Sequence, residues 1–310
     1  MENSILNPIN SLELYGFEKY FNDYVKLLDA NKFPKISLFS GKKGIGKFTL
    51  ANHLMCYLFD KKNYDINKRV INNNSLYYNQ LSNNTFANLI VLNIDKNNIK
   101  IDNIRKLRNT LSQTSINNAP RFIILDDVEL FNLNSLNALL KLIEEPNINN
   151  YFILINNQEK DILQTIKSRC IESKFFLSNK KRGEISKKLL MRHNLEIIFN
   201  YEDVSLTPGF FILFNKLCFE NDINFNQSYL SNMIKILNLY KKLKQTIYIK
   251  LAIFITDQYF YLMTKKNTKN QNIINDLRIK IIKIINDLVI YNLNLNLVIN
   301  SISEQFNDGK

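Results

Sequence analysis

Seven residues, Gly41-Lys42-Lys43-Gly44-Ile45-Gly46-Lys47, constrain the fold of this chain more than any other stretch. They follow an apolar run, Ile36 to Ser40, that reads as a buried strand, and they open into Thr49, Leu50, Ala51 and Leu54, which read as a helix. Strand, glycine-rich turn and helix in that order make a phosphate-binding P-loop. Three of the seven glycines in the chain are gathered here. Lacking side chains, Gly41, Gly44 and Gly46 let main-chain N–H groups turn toward phosphate oxygens, and Lys47 would add a point charge at the β- and γ-phosphates.

Further apolar runs at Leu89 to Ile94, Phe122 to Asp126 and Tyr151 to Asn156 predict more short buried strands. Helical patterns separate them. Asp102 is predicted to cap a helix carrying Ile104, Leu107 and Leu111, and Ser135 to Glu145 predicts another that stops at Pro146. Alternating strands and helices imply a parallel α/β sheet. The Asn-rich segment Tyr64 to Thr85 reads as an exposed insertion with at most a few helical turns. Beyond Asn179 the strand signals stop. Leu189, Leu190, Ile197 and Ile198 predict a short helical region broken at Pro208-Gly209. Between Ile273 and Ile290, Ile274, Leu277, Ile281, Ile284 and Leu288 keep one apolar stripe, the face of a helix in a bundle core, and Lys265 to Gln271 reads as a polar loop before it. The expected class is α/β followed by all-α, divided at 1–176, 177–222 and 223–310.

Composition narrows the function classes. With 45% hydrophobic and 22% charged residues the chain is an ordinary globular one. Cys56, Cys170 and Cys218 are scattered and odd in number, so neither a disulfide framework nor a zinc site is expected, and a cytoplasmic, reducing location is the default. No signal peptide or membrane span is legible. The net charge of +13 suggests nucleic acid as a partner. Yet 33 of the 41 basic residues are Lys and 8 are Arg, alongside many Asn and Ile, the mark of an AT-rich coding bias. Direct DNA contact is therefore expected to be with phosphates, salt-sensitive and indifferent to sequence. His53 and His193 read as structural or surface residues, and Glu144 and Glu145, adjacent on a helix, do not face each other as a catalytic carboxylate pair would.

The strand ending in Asp126-Asp127 has the form of a Walker B element, with Asp126 to hold Mg²⁺ through water and the next acid to orient an attacking water. Two features depart from a working site. Phe48 stands where a Ser or Thr hydroxyl would ligate Mg²⁺, and Thr49 lies about 100° further round the helix. Asp127 is a methylene shorter than the Glu usual in AAA+ ATPases. Asn156 and Asn157 end the following strand, either as a polar sensor for the γ-phosphate or as turn formers.

Two more motifs give a resemblance. Asn137-Ala138-Leu139-Leu140-Lys141-Leu142-Ile143-Glu144-Glu145-Pro146 and Thr165-Ile166-Lys167-Ser168-Arg169-Cys170, together with Gly44-Ile45-Gly46-Lys47 and Ile101 to Leu107, resemble the AAA+ clamp-loader family of bacterial DNA polymerase III, most nearly its delta-prime subunits. The resemblance covers about residues 14 to 170. It implies an AAA+ core, a small helical lid and a C-terminal helical collar for the three regions above. It implies a hetero-pentamer with motor (gamma/tau-like) and delta-like subunits that places a sliding clamp on primer-template DNA. It also implies that Arg169 is an arginine finger acting in the ATP site of a neighbour, a role that suits an always-charged, forked guanidinium. Unlike motor subunits, this chain has Phe48, Asp127, no four-cysteine zinc module, and Phe210 and Phe211 where a lid arginine belongs. The expectation is a stator whose own ATP hydrolysis is weak or absent, with Phe48 putting ATP or ADP binding in doubt. The rival readings are an active AAA+ motor subunit rescued by Thr49, and a P-loop kinase of small molecules, the latter disfavoured by the scarcity of Arg.

Overall fold

The computed structural model describes residues 7–92, 101–113, 119–200, 204–224, 227–266 and 271–307. The chain forms two compact units, one of Met1–Leu189 with Leu206–Phe210 and one of Leu190–Ser205 with Phe211–Lys310. Among the described residues no helix is long and apolar enough to cross a membrane.

In chain order the first unit contains α1 (Glu18–Asp29), β1 (Ile36–Ser40), α2 (Lys47–Phe59), β2 (Tyr64–Asp65), β3 (Val70–Ile71), α3 (Leu76–Ser82), β4 (Leu89–Leu92), α4 (Ile101–Ser112), β5 (Arg121–Leu125), α5 (Leu133–Glu144), β6 (Asn150–Asn156), α6 (Gln164–Lys167) and β7 (Ile171–Lys174). Five strands pair in parallel in the order β4-β5-β6-β1-β7. Side chains alternate across the pleat, so the continuous apolar runs serve two cores. Phe39, Phe122, Ile124, Ile153 and Ile155 pack on one face with Phe21 and Val25 of α1 and Leu50 and Leu54 of α2. Leu38, Ile123, Leu125, Phe152 and Leu154 pack on the other with Ile104 and Leu107 of α4 and Leu136 and Leu139 of α5.

Local signals explain the ends of the helices. Asn132 caps α5, its side chain accepting the Ser135 N–H at 2.8 Å, and Pro146 prevents continuation past Glu145. Asp102 lies inside the first turn of α4 rather than at its cap, where a carboxylate still complements the helix dipole, and it pairs with Arg105 at 3.3 Å.

The segment from Tyr64 to Thr85 is exposed at most of its positions and has a short helix, as expected, but it is anchored to the core rather than merely inserted. It forms the β2–β3 hairpin and α3, and buries Tyr64, Ile71, Tyr77 and Leu81 against α2. His53 and Tyr64 meet at 3.0 Å, and the Tyr77 hydroxyl donates to Asn52 Oδ1 at 2.7 Å. Burying each such large side chain stabilises by roughly 1.5–3 kcal/mol, which a run of intervening Asn conceals from a periodicity count. The edge strand β7 also escaped the pattern, because Ile171-Glu172-Ser173-Lys174 is short and mostly polar.

α7 (Asn179–His193) begins in the first unit, and α8 (Pro208–Glu220) has its first residues there. The second unit is helical. α9 (Tyr229–Leu243), α10 (Ile247–Lys266), α11 (Gln271–Ile290) and α12 (Leu295–Asn307) form a bundle in which α10 packs on α9 and α11, and α12 packs on α11 and α9. The buried stripe of α11 is Ile274, Ile281, Ile285 and Leu288, with Leu277 and Ile284 half-buried at its border. Phe199, Phe211, Phe214 and Phe254 share an aromatic cluster with ring centroids 5.1–5.3 Å apart. Residues 267–270 of the expected polar loop lie outside the described residues.

Candidate functional site

The carboxyl ends of β1, β5 and β6 lie side by side, and the loops that leave them form one cleft. Ligands of open parallel sheets bind at such an end. From β1 the chain turns at Gly41, whose N–H donates to the Asn156 carbonyl at 3.1 Å. A Cβ there would stand 2.4 Å from the Phe175 carbonyl oxygen, so the turn admits only glycine. Gly44 (φ +81°) and Gly46 (φ +102°) complete the loop in the left-handed region.

Lys47 is the first residue of α2 and is only 2% exposed. Its ammonium donates to the Gly41 carbonyl at 2.6 Å and the Lys42 carbonyl at 2.9 Å, within its own loop. Burial pushes its pKa down to about 8, against the pull of Asp126, Glu129 and Asp127. Phe48 turns away from the cleft into the core cluster of α1 and α2. Thr49, next on the helix, is half-buried.

β5 delivers the two acids. Asp126 Oδ1 accepts the Asp127 N–H at 2.9 Å, and Asp127 itself takes a left-handed conformation at φ +52°. The Asn157 side-chain amide donates to Asp126 Oδ1 at 2.9 Å and to Asp127 Oδ1 at 2.6 Å. Lys43 Nζ reaches Asp127 Oδ2 at 2.7 Å and Glu159 at 3.9 Å. Glu129 Oε1 accepts the N–H groups of Asn157 at 3.0 Å and Glu159 at 3.3 Å. Burial, reinforced by the neighbouring Asp127 charge, raises Asp126 to about 6. Burial also raises Glu129. For Lys43 burial acts downward, but the bond and charge of Asp127 outweigh it and the net shift is upward.

Asn156 faces elsewhere, donating to Ser40 Oγ at 3.4 Å while its own oxygen accepts the Gln158 N–H. Of the two asparagines that end β6, Asn157 therefore meets the acids and Asn156 holds the turn. Lys43 lay inside the P-loop motif without a role assigned to it, and Glu129 and Glu159 carried no sequence signal beyond their charge. Gly209 was legible only as part of the Pro208-Gly209 break in a helical pattern, and Thr207 was not legible at all. In the structure the Thr207 hydroxyl donates to the Lys43 carbonyl at 2.8 Å, and the Gly209 N–H donates to the Gly44 carbonyl at 2.9 Å. Two glycines allow that approach, since a Cβ on Gly209 would lie 2.9 Å from Gly44 Cα.

Arg169 lies at the opposite end of the sheet. It follows α6 and precedes β7, just as Glu144 closes α5 before β6, which puts both at the amino ends of the strands. Its Nη2 is 2.8 Å from Glu144 Oε1 and its Nη1 donates to the Thr165 carbonyl at 2.8 Å. A five-residue strand spans about 15 Å, farther than an arginine side chain reaches, so Arg169 has no access to the chain's own P-loop cleft.

Residues 16–177, more than half of the chain, match the family described as DNA polymerase III, delta subunit. The chain belongs to that family. A DNA polymerase III subunit delta' of Buchnera aphidicola is 26% identical over 82% of this chain and 79% of its own length. The delta' subunit of Pseudomonas aeruginosa is 38% identical over a shorter stretch, 24% of this chain and 23% of the relative. The tau subunit of Bacillus subtilis is 25% identical over 71% of this chain, which spans 40% of that longer protein. Among solved structures, a DNA polymerase III gamma subunit-related protein of Thermotoga maritima superposes with a TM-score of 0.51 at 16% identity, covering 91% of this chain and 96% of the other. The fold is thus that of the AAA+ clamp-loader proteins, and the chain is a delta-prime-like member of the DNA polymerase III family.

Proposed function

We propose that this chain is the stator of a clamp loader, lending Arg169 to the ATP site of a neighbouring motor subunit while its own ATP hydrolysis is weak or absent. The observation that carries the reading is the placement of Arg169 at the amino end of the sheet, beyond reach of the P-loop on the same chain. A guanidinium presented there can stabilise the charge that develops on a γ-phosphate only if another subunit brings the nucleotide to it.

The cleft supports the other half of the proposal. A magnesium–nucleotide poised for hydrolysis needs a hydroxyl at the position of Phe48, which packs into the core. It needs Lys47 free to meet phosphate, whereas that ammonium is hydrogen-bonded to two loop carbonyls. It needs the second acid free to orient water, whereas Asp127 is engaged by Lys43 and Asn157. The residues present do not fit that chemistry, and no hydrolytic step is assigned to them.

The partners in this reading are gamma/tau-like motor subunits and a delta-like subunit in a hetero-pentamer, acting on a sliding clamp and on primer-template DNA through phosphate contacts. The test is reconstitution of that complex with an Arg169→Ala chain. Clamp-dependent ATP hydrolysis at the adjoining motor site should fall by roughly 10³-fold, the lower end of finger contributions in other P-loop systems. Hydrolysis and clamp loading at the wild-type rate would sink the finger assignment.

A further inference from the structure

The arginine at the amino end of the sheet is not a free side chain. Its backbone is tied down by the Arg169 N–H donating to the Ile166 carbonyl at 3.1 Å and the Cys170 N–H to the Lys167 carbonyl at 3.3 Å. Its guanidinium is held on both sides, by Glu144 through Nη2 and by the Thr165 carbonyl through Nη1, each at 2.8 Å. A guanidinium carries five N–H groups, so three remain: the one on Nε and one on each terminal nitrogen. The side chain is still 37% exposed, and these three donors are what it can offer outward.

Glu144 is in an unexpected place for a carboxylate. It is the last residue of α5, next to a second glutamate at the C-cap, and the helix dipole disfavours negative charge at that end. Helix stability therefore gives no reason for it. The motifs that carry Glu144 and Arg169 are separated by a whole strand, and the fold brings these two side chains together.

We infer that Glu144 is the positioning residue for Arg169. It fixes the guanidinium in a presenting geometry before the neighbouring subunit arrives, so that little of the side chain's freedom remains to be lost when the γ-phosphate is engaged. The inference rests on the finger reading of Arg169 and adds to it a residue that touches no nucleotide. It separates two roles of one ion pair. An exposed pair held only for folding contributes little and leaves the neighbour's kinetics alone. A pair that aims the finger changes the neighbour's turnover number and not its affinity for ATP, because the contact strengthens as charge develops in the transition state.

The experiment is single-turnover ATP hydrolysis by the reconstituted complex carrying Glu144→Ala, Glu144→Gln, Arg169→Ala or the Glu144→Ala/Arg169→Ala pair, with the melting temperature of each isolated chain measured alongside. Glu144→Ala should lower the rate at the adjoining site about 3- to 10-fold with KM for ATP unchanged, a smaller loss than that of Arg169→Ala. Glu144→Gln retains an acceptor oxygen and should recover most of the rate. The double variant should be no slower than Arg169→Ala alone, as expected when one residue acts through the other. A wild-type or faster rate in Glu144→Ala, alongside a large loss in Arg169→Ala, overturns the positioning role and leaves the finger standing. A further loss in the double variant overturns it too, since Glu144 would then act independently. If Arg169→Ala itself has no effect, the finger reading fails first.

Discussion

The two ends of the central sheet hold charged groups of the same kinds under opposite conditions. At the carboxyl ends, Lys47, Asp127 and Glu129 are buried and Asp126 is half-buried. The Lys43 side chain is 37% exposed but paired with buried Asp127, and all five are tied by internal bonds to one another or to main-chain groups of the loops. At the amino ends, Arg169 and Glu144 form one pair whose side chains are 37% and 47% exposed. Burial makes an unpartnered charge expensive, so the first set has been closed by internal bonds. Exposure makes a pair worth little to folding, so the second set can serve a partner through its remaining N–H donors while the pair itself stays made. A cluster of perturbed pKa values in a cleft usually marks a working site. Here the perturbed groups lie where the geometry does not suit hydrolysis, and the group proposed to act in catalysis lies at the other end of the sheet.

The widest separation between the two ends should come from paired substitutions in the assembled complex. Arg169→Ala is expected to reduce the neighbour's hydrolysis by roughly 10³-fold, while Lys47→Ala should change total hydrolysis by less than about twofold. A lysine-dependent loss comparable to the arginine's would erase the contrast and restore the reading of an active motor subunit. Phe48→Thr sharpens the point from the side of stability. It would return a hydroxyl to the position of the Mg²⁺ ligand, but Phe48 is part of the α1–α2 core and only 7% exposed. Truncating it should cost about 3 kcal/mol, read as a lower urea midpoint, with no gain in turnover by the isolated chain. A stable Phe48→Thr chain that hydrolyses ATP would mean that the cleft is disabled by this residue alone.

Much of the α/β unit was legible because the strands β1, β5 and β6 are continuous apolar runs and the P-loop glycines admit few alternatives. What escaped was local packing disguised by composition. Asn residues hid the buried Tyr64, Ile71 and Tyr77, and polar residues hid β7. Of the cleft, Gly41, Gly44, Gly46, Lys47, Asp126 and Asp127 could be placed by motif. The contacts made by their partners could not. Asn157 was one of two candidate asparagines and Lys43 lay inside the motif, yet both reach the acids through turns whose direction no pattern encodes, and Thr207 and Gly209 come to the P-loop from more than 150 residues away. Arg169 was found by motif alone, and its tie to Glu144 required the fold.

The smallest expected effect tests whether the closed cleft carries a residual cost. Asp126 ionises near 6 in the folded chain, against about 3.9 in an unfolded one. Between those values the native state keeps a proton that the unfolded state has released, so this group's contribution to stability is fully present below about pH 4 and is lost as pH rises through 6. At neutral pH its ionised form therefore works against folding. Asp126→Asn removes that dependence while keeping an oxygen for the Asn157 amide and the Asp127 N–H, the two groups that now donate to it. Neutralising Asp126 also removes a counter-charge from buried Lys47, which offsets part of the gain. Relative to the wild type, the variant should become progressively more stable between pH 4 and 6 and hold that advantage above. With water tempering the penalty at the partly open Asp126, the gain should be about 1–2 kcal/mol, or roughly 2–6 °C in melting temperature. A difference that stays flat across that pH range would show that the acid is not held against its charge. The carboxyl end of the sheet would then resemble the open, solvated amino end more than the buried bonds imply.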